Sequence, residues 1–252
     1  MALGLAPAVL AEKLRGPRAL VQVGDSLYGP PRQGSAVAWA AWVYVHPAQR
    51  RRGLGAAQLD ALEARARADG ATSLRLGGPP GNYCVPGLCD QVPGLAAALA
   101  RRGYTPLSQS VDLVVDVGGC APGERPALRD GDAHDLGWIA SHFSPGWADE
   151  CARALASGGV RVATDTAGAP LGFAAWGGNL TSLGRFGPVG VLPAARGRGL
   201  GATLSRVAFA ALAAQGFARV TVPWVNAETV AFYAGLVPIV GRATHTLYAR
   251  AL

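Results

Sequence analysis

Lysine is almost missing from this chain: one residue, Lys13, stands against 22 arginines in 252 positions. With Ala and Gly abundant, that bias is the mark of GC-rich coding, not of a surface selected to hold a polyanion. The net charge of +7 is also evenly spread, with 12 basic and 8 acidic groups in residues 1–117 and 11 and 8 in the remainder. A nucleic-acid-binding face gathers its cations into a patch, often with lysine taking part, so no nucleic-acid partner is expected. Cysteine pairs at metal-ligand spacing are lacking as well. Cys84, Cys89, Cys120 and Cys151 contain no CxxC, which leaves neither a zinc pattern nor a disulfide framework. No metal is expected.

Long apolar runs are absent too. The longest, Ala36–Val45, has ten residues, about half of the roughly 20 that a bilayer-spanning helix needs. The N-terminal MALGLAPAVLAEKLR has no positive charge ahead of its apolar stretch, unlike a secretory signal. A soluble cytoplasmic protein with no membrane partner is the expectation. Charged residues make up only 15% of the chain and apolar ones 50%, the reverse of a disordered composition. The length suits one large domain or two ordinary ones.

What is present is a repeat. Val43–Ala56 reads VYVHPAQRRRGLGA and Val189–Ala202 reads VGVLPAARGRGLGA, with ten of fourteen positions identical at an offset of 146. The register continues without a gap: residues 68–70 meet 214–216, and SLRL at 73–76 meets RVTV at 219–222. Composition alone does not produce that order of residues, so the chain carries a duplicated unit. In each copy an apolar strand (Trp39–Val45, Phe186–Leu192) runs to a proline, which cannot donate to a sheet ladder. A Gly- and Arg-rich turn follows, then an Ala/Leu-rich helix of about four turns. Gly70 or Gly216 stops that helix, and a second strand begins.

Strand, glycine turn, helix and strand place a specific chemistry at the turn. Gly53 and Gly55, like Gly199 and Gly201, let successive N–H groups converge without a Cβ in the way. The helix that starts there adds unsatisfied donors and the positive end of its dipole. Arg50 and Arg52, like Arg196 and Arg198, flank the turn and suit phosphate oxygens. The arrangement predicts a pyrophosphate cradle. It is not a Walker loop, since no Lys-Ser/Thr follows the glycines. Gly197-x-Gly199-x-x-Ala202 fits a dinucleotide fingerprint, but that site wants an acidic residue roughly 20 positions on, and the second copy has none between Asp165 and Glu228.

These residues resemble the GNAT acyltransferase superfamily, whose coenzyme A signature is Gln/Arg-x-x-Gly-x-Gly/Ala after a strand. Arg50-Arg51-Arg52-Gly53-Leu54-Gly55 and Arg196-Gly197-Arg198-Gly199-Leu200-Gly201 both fit it, each five residues beyond a strand valine, Val45 or Val191. Residues 125–132 look like the family's opening strand and turn. Two helices (Ala133–Phe143, Trp147–Ser157) and a strand pair (Val160–Thr164, Pro170–Trp176) follow. Asn226…Phe232-Tyr233 is similar to the family segment whose asparagine bonds the cofactor and whose tyrosine protonates the departing thiolate. The family's Gly-Phe after that tyrosine is replaced by Val237-Pro238. The first copy resembles the family less closely, with 42 residues ahead of its motif and Leu99 where the tyrosine would stand.

The resemblance implies a tandem two-domain GNAT protein, similar in architecture to mycothiol synthase. Each α/β unit is then a mixed, mostly antiparallel sheet flanked by helices: a truncated unit at 1–117, a linker at 118–123 and a complete unit at 124–252. It implies an acyl-CoA-dependent N-acyltransferase, with acetyl-CoA or another acyl-CoA as co-substrate and a small-molecule or peptide amine as acceptor. The alternative is an acyl-CoA binder or sensor without turnover. Tyr233 would be the general acid. Val189, Val191, Arg196, Gly197, Arg198, Gly199, Leu200, Gly201 and Ala202, together with Asn226, would hold the cofactor, and Val45 with Arg50, Arg51, Arg52, Gly53, Leu54, Gly55 and Ala56 would form the corresponding site of the first copy. N–H groups of Val189–Val191 would meet the thioester carbonyl, with the acyl arm in a splay between that strand and Arg219–Trp224. No general base stands out among Asp149, Glu150, Asp165 and His142. Trp147 and Trp224 are candidates for the acceptor pocket. An oligomer is compatible with the sequence, and the first unit, lacking its opening elements, is not expected to fold alone.

Overall fold

Strands in this chain are short apolar runs closed by glycine or proline, and the helices between them are rich in Ala and Leu. A computed structural model describes residues 5–15, 19–90, 92, 94–121 and 128–252. They form two units, one of residues up to Ser110 together with Ala243–Leu252, the other of Val111–Arg242.

The first unit runs through helix α1 (Pro7–Lys13), strands β1 (Val21–Val23), β2 (Ser26–Gly29) and β3 (Val37–Val43), helix α2 (Leu54–Ala68), strands β4 (Ser73–Leu76) and β5 (Leu88–Cys89), and helix α3 (Leu95–Arg101). It then enters strand β6 (Thr105–Asp116). β1, β2 and β3 pair antiparallel, while β3 and β4 are parallel, as a strand–helix–strand crossover requires. Leu62 and Ala66 of α2 pack on Ala38, Ala40, Leu74 and Leu76 of that parallel pair. Gly70 follows the helix at φ 76°, the left-handed stop that its position predicts.

The second unit contains β7 (Leu128–Asp130), α4 (Asp135–His142), α5 (Pro145–Ser157), β8 (Gly159–Thr164), β9 (Pro170–Trp176), β10 (Phe186–Val191), α6 (Leu200–Ala214), β11 (Arg219–Val225), α7 (Ala227–Ala234) and the start of β12 (Ile239–Ala251). β10, β9, β8 and β7 form an antiparallel sheet in that order, and β11 pairs antiparallel with Val111–Asp116 of β6. Strand alternation assigns the helices to opposite faces. Val160, Val162, Phe173 and Ala175 meet α4 and α5, whereas Ala163, Ala174 and Trp176 meet Leu204, Ala208 and Phe209 of α6. The mixed, mostly antiparallel sheets flanked by helices agree with the expected fold. α5 starts two residues earlier than its apolar pattern indicates, because Ser144 Oγ accepts from Trp147 N at 3.1 Å with Pro145 in the first turn. Of the expected opening strand, Arg125–Ala127 lie outside the described residues.

The division of the chain differs from a cut at 118–123, a stretch of which residues 122 and 123 lie outside the described residues. The chain leaves the first unit within β6 and returns to it within β12. Residues 248–251 of β12 pair with β4, and His245 and Thr246 pair with Cys89 and Leu88. Arg250 Nη1 donates to Glu63 Oε2 at 2.6 Å, and Tyr104 Oη and Arg102 Nη2 donate to Glu63 Oε1 at 3.0 and 3.2 Å. Glu63 is buried on α2, so these donors offset the cost of desolvating its charge. The first unit thus takes part of its sheet and one of its buried counter-charges from the end of the chain.

A fragment of residues 1–117 therefore lacks the partner strand of β4 and β5 as well as Arg250. Losing one hydrogen bond to a buried charge costs about 1.5–3 kcal/mol, a sizeable share of a domain's stability of about 5–15 kcal/mol. The fragment is expected to melt without a cooperative transition by circular dichroism. A sharp sigmoidal melt would contradict that dependence.

Candidate functional site

The two glycine turns have the same backbone, residue for residue. His46 and Leu192 have φ, ψ of −53°, 136° and −53°, 140°. Arg50 and Arg196 have −64°, 160° and −68°, 163°. Gly53 and Gly199 are left-handed at 80°, −9° and 76°, −2°. The other left-handed position is Gly197 at φ 76° in the second copy and Arg51 at φ 64° in the first. Each turn opens with a single turn of 3-10 helix, Pro47–Gln49 or Pro193–Ala195, which the sequence pattern does not announce.

This path leaves donors unspent. Among the described residues no acceptor meets the N–H groups of Arg51–Ala56 or Gly197–Ala202, and the first amides engaged are Ala57 N on Gly53 O and Thr203 N on Gly199 O. Each turn thus presents six free amides and the positive end of a 15-residue helix, a setting for an anion. Arg50 Nε donates to Val45 O at 3.1 Å and Arg196 Nε to Val191 O at 3.2 Å. The carbonyl at the end of β10, and its counterpart two residues beyond β3, therefore fixes each arginine while its two Nη groups stay unengaged. Arg52 and Arg198 are exposed beside them. Next to the first turn lies an open hollow of about 290 Å³ between Val45, Arg50, Arg51 and residues 53–56. Leu54 and Leu200 begin the helices, and Gly55 and Gly201 lie against Val45 and Val191. In composition and geometry both turns fit a pyrophosphate.

Beside the second turn the sheet is open. Among the described residues one bridge, between Arg185 just ahead of β10 and Thr221 of β11, joins the two strands, and no ladder follows it. On its other side β10 is paired, with Gly190 opposite Phe173, Val191 opposite Gly172 and Leu192 N donating to Leu171 O at 2.9 Å. Antiparallel alternation turns the N–H groups of Val189 and Val191 away from β9 and into the gap. These are the strand amides that the resemblance assigns to a thioester carbonyl.

α7 flanks this region. Asn226 caps it, with Oδ1 accepting from Thr229 N at 2.9 Å and from Thr229 Oγ1 at 2.8 Å, so its side-chain oxygen is committed and its Nδ2 group is the available end. Tyr233 is buried in the core and packs edge-on against Phe186 of β10, ring centroids 6.0 Å apart. Burial pushes its phenol well above the ordinary tyrosine range, so the hydroxyl stays protonated and able to donate. Phe232 is 38% exposed and lies 3.6 Å from where a Cβ on Gly201 would sit. In the first unit, Leu99 of α3, where the resemblance would place the tyrosine, is buried among apolar side chains. That position has no proton to give.

Other sequence candidates have structural roles. Asp165 Oδ1 accepts from Ala167 N and Ala169 N and closes the β8–β9 turn. Trp147 stacks on Phe143 at 5.7 Å and packs on Phe173. His142 is exposed at the end of α4. Trp224 is exposed, left-handed at φ 59°, and donates its backbone N–H to Asp112 Oδ1 at 3.0 Å. No motif singles out Asp112, because its partner is 112 residues away. Among the described residues no group of His, Cys, Asp and Glu could hold a metal, and no helix is long and apolar enough to cross a membrane.

Comparison with known proteins adds three findings. The model of the acetyltransferase (GNAT) family matches residues 21–83 and 132–236. No curated protein matches. Among solved structures, a tandem GNAT protein from the clavulanic acid biosynthesis pathway is 19% identical over 94% of this chain and 85% of its own, with a TM-score of 0.68. A GCN5-related N-acetyltransferase from Kribbella flavida is 21% identical over 96% and 93%, TM-score 0.62. A GCN5-related glucosamine N-acetyltransferase region of a fungal multi-domain GH3 β-N-acetylglucosaminidase is 18% identical, TM-score 0.69. The match covers 92% of this chain and spans 30% of that fungal protein. At these identities the likeness is one of fold.

The left-handed Arg51 carries a strain that glycine in its place would not. An L-residue there costs about 1–2 kcal/mol, and the extra unfolded-state freedom of glycine returns about 0.5–1 kcal/mol of that. Arg51→Gly is expected to raise stability by roughly 0.5–1 kcal/mol in urea unfolding, and a lowered midpoint would contradict the strain.

Proposed function

Because the chain belongs to the acetyltransferase (GNAT) family, we propose that it is an acyl-CoA-dependent N-acyltransferase that passes acetyl from acetyl-CoA to a primary amine of a small molecule or peptide. The chemistry belongs to the second unit. What carries this reading is the open edge of β10, where the free amides of Val189 and Val191 adjoin a turn of six unspent N–H groups and Tyr233 packs against the same strand.

In this reading the turn from Arg196 through Ala202 holds the pyrophosphate, and Asn226 Nδ2 bonds the pantetheine arm. The amine's lone pair attacks the thioester carbonyl carbon. Charge that develops on the carbonyl oxygen is met by a strand amide of Val189 or Val191, a contribution of a few kcal/mol when the donor is preorganised. The C–S bond breaks as C–N forms, and Tyr233 gives its proton to the departing thiolate. Water takes the proton that the amine loses, and the tyrosine oxygen regains its own proton from solvent. The first unit keeps a matching cradle at Val45 and Arg50–Ala56, but Leu99 stands in for the acid, which supports a part in holding acyl-CoA without turning it over.

Tyr233→Phe tests the assignment. A panel of primary amines is assayed by release of free thiol, beside calorimetric binding of acetyl-CoA. The variant is expected to lose about 10²-fold in kcat with unchanged affinity for acetyl-CoA. Burial raises the phenol's pKa, so the acid stays protonated as pH rises, and wild-type kcat should show no alkaline loss below about pH 10. Equal turnover by the two proteins would remove Tyr233 from the chemistry. Binding without turnover on any amine would favour an acyl-CoA sensor.

A further inference from the structure

The repeat allows the gap in the second unit to be compared, bond by bond, with the corresponding strands of the first. At the offset of 146, the bridge Arg185–Thr221 matches the parallel pair Trp39–Arg75. In the first copy the ladder continues, with Gly77 N donating to Ala40 O at 3.1 Å. The matching residues in the second copy are Pro223 and Phe186. Thr221 N donates to Gly184 O at 2.9 Å, and there the ladder ends, because proline has no N–H. Gly177 N donates to Arg185 O on the β9 side, so alternation turns the Phe186 carbonyl towards β11, where Pro223 has nothing to offer it.

The next amide is diverted. Trp224 N donates to Asp112 Oδ1, and the left-handed turn at Trp224 coincides with the register break between Val222 and Val225. Asp112 is held from its other side, Oδ2 lying 3.8 Å from Arg185 Nη2, and both residues are buried. Pro223 is only half-buried, so packing does not explain why a proline stands in this strand.

We propose that Pro223 and Asp112 are positioning residues that hold the β10–β11 gap open, Pro223 by withholding the donor that would add a rung and Asp112 by capturing the amide that follows. Together they open the second copy one rung earlier than the first and fit it for an acyl arm. The inference rests on the acyl-transfer reading of that gap.

Pro223→Gly restores the donor. Two probes separate the arm from the anion site: acetyl-CoA, and adenosine diphosphate, which carries a pyrophosphate without the pantetheine arm. In the folded variant, calorimetry is expected to show unchanged affinity for the diphosphate, while acetyl-CoA affinity and turnover fall about tenfold or more, as for displaced reacting groups. Hydrogen exchange should find the new amide at position 223 protected. Asp112→Asn keeps an acceptor for Trp224 N and, though less stable for losing the charge beside Arg185, should keep its acetyl-CoA affinity when folded, whereas folded Asp112→Leu should lose it like Pro223→Gly. An unprotected amide with full acetyl-CoA affinity would overturn the inference and leave the acyl-transfer reading standing. Equal loss of both probes would overturn it too, as general damage. Failure of the wild type to bind acetyl-CoA would overturn both.

Discussion

A backbone amide that leaves its neighbours without a hydrogen bond must be satisfied by something else, and this protein exposes such amides in a concentrated way. Two turns each present six in succession, at the start of a helix whose dipole adds to their attraction for negative charge. Left-handed residues at two positions per turn keep those N–H groups pointing together. Ahead of each turn a backbone carbonyl, of Val45 or Val191, holds an arginine Nε, so the guanidinium stays at the cradle. Everything that makes the site chemically specific is arranged around these donors. The open strand edge lies before the turn, and the helix bearing Tyr233 lies after the second strand.

Duplication put this device in the chain twice, and the copies have diverged in what surrounds it. The second keeps a separated strand pair and a buried tyrosine. The first adds a rung to its ladder, has leucine in place of the tyrosine, and carries an arginine in a backbone conformation that favours glycine. Their supporting sheets are built differently as well. The first unit borrows strand β12 from the end of the chain and neutralises Glu63 with Arg250. The second buries Asp112 beside Arg185 and spends one of its oxygens on an amide of a kinked strand.

Much of this is legible in the amino-acid sequence. The fixed offset of 146 reveals the repeat, and the glycines and arginines at fixed positions reveal the cradle, because local backbone geometry depends on local residue type. Helix stops at Gly70 and Gly216 are readable for the same reason. What depends on distant partners is not. Nothing near Ala243–Leu252 says that this segment completes the first unit, and nothing near Asp112 says that it meets Trp224. The apolar pattern of α5 begins only at Trp147 and so places the helix start too late, although Ser144-Pro145 is a cap signal. Pro223 stands in plain view at the repeat position of Gly77, yet its meaning requires the hydrogen bond that Gly77 makes.

The central claim is that the second cradle holds an acyl-CoA for transfer, and a carboxylate placed in it tests that most directly. Gly201 needs no left-handed backbone, and an added Cβ there meets only ordinary contacts, so Gly201→Glu should fold. Its negative charge should repel a pyrophosphate while leaving the helix start favourable. Calorimetric titration of acetyl-CoA into wild type, Gly201→Glu and Gly55→Glu, each paired with a turnover assay, is the measurement. Binding by the wild type, turnover lost in Gly201→Glu and turnover kept in Gly55→Glu is the predicted result. Wild-type turnover in Gly201→Glu, or no binding by the wild type at all, would contradict the account.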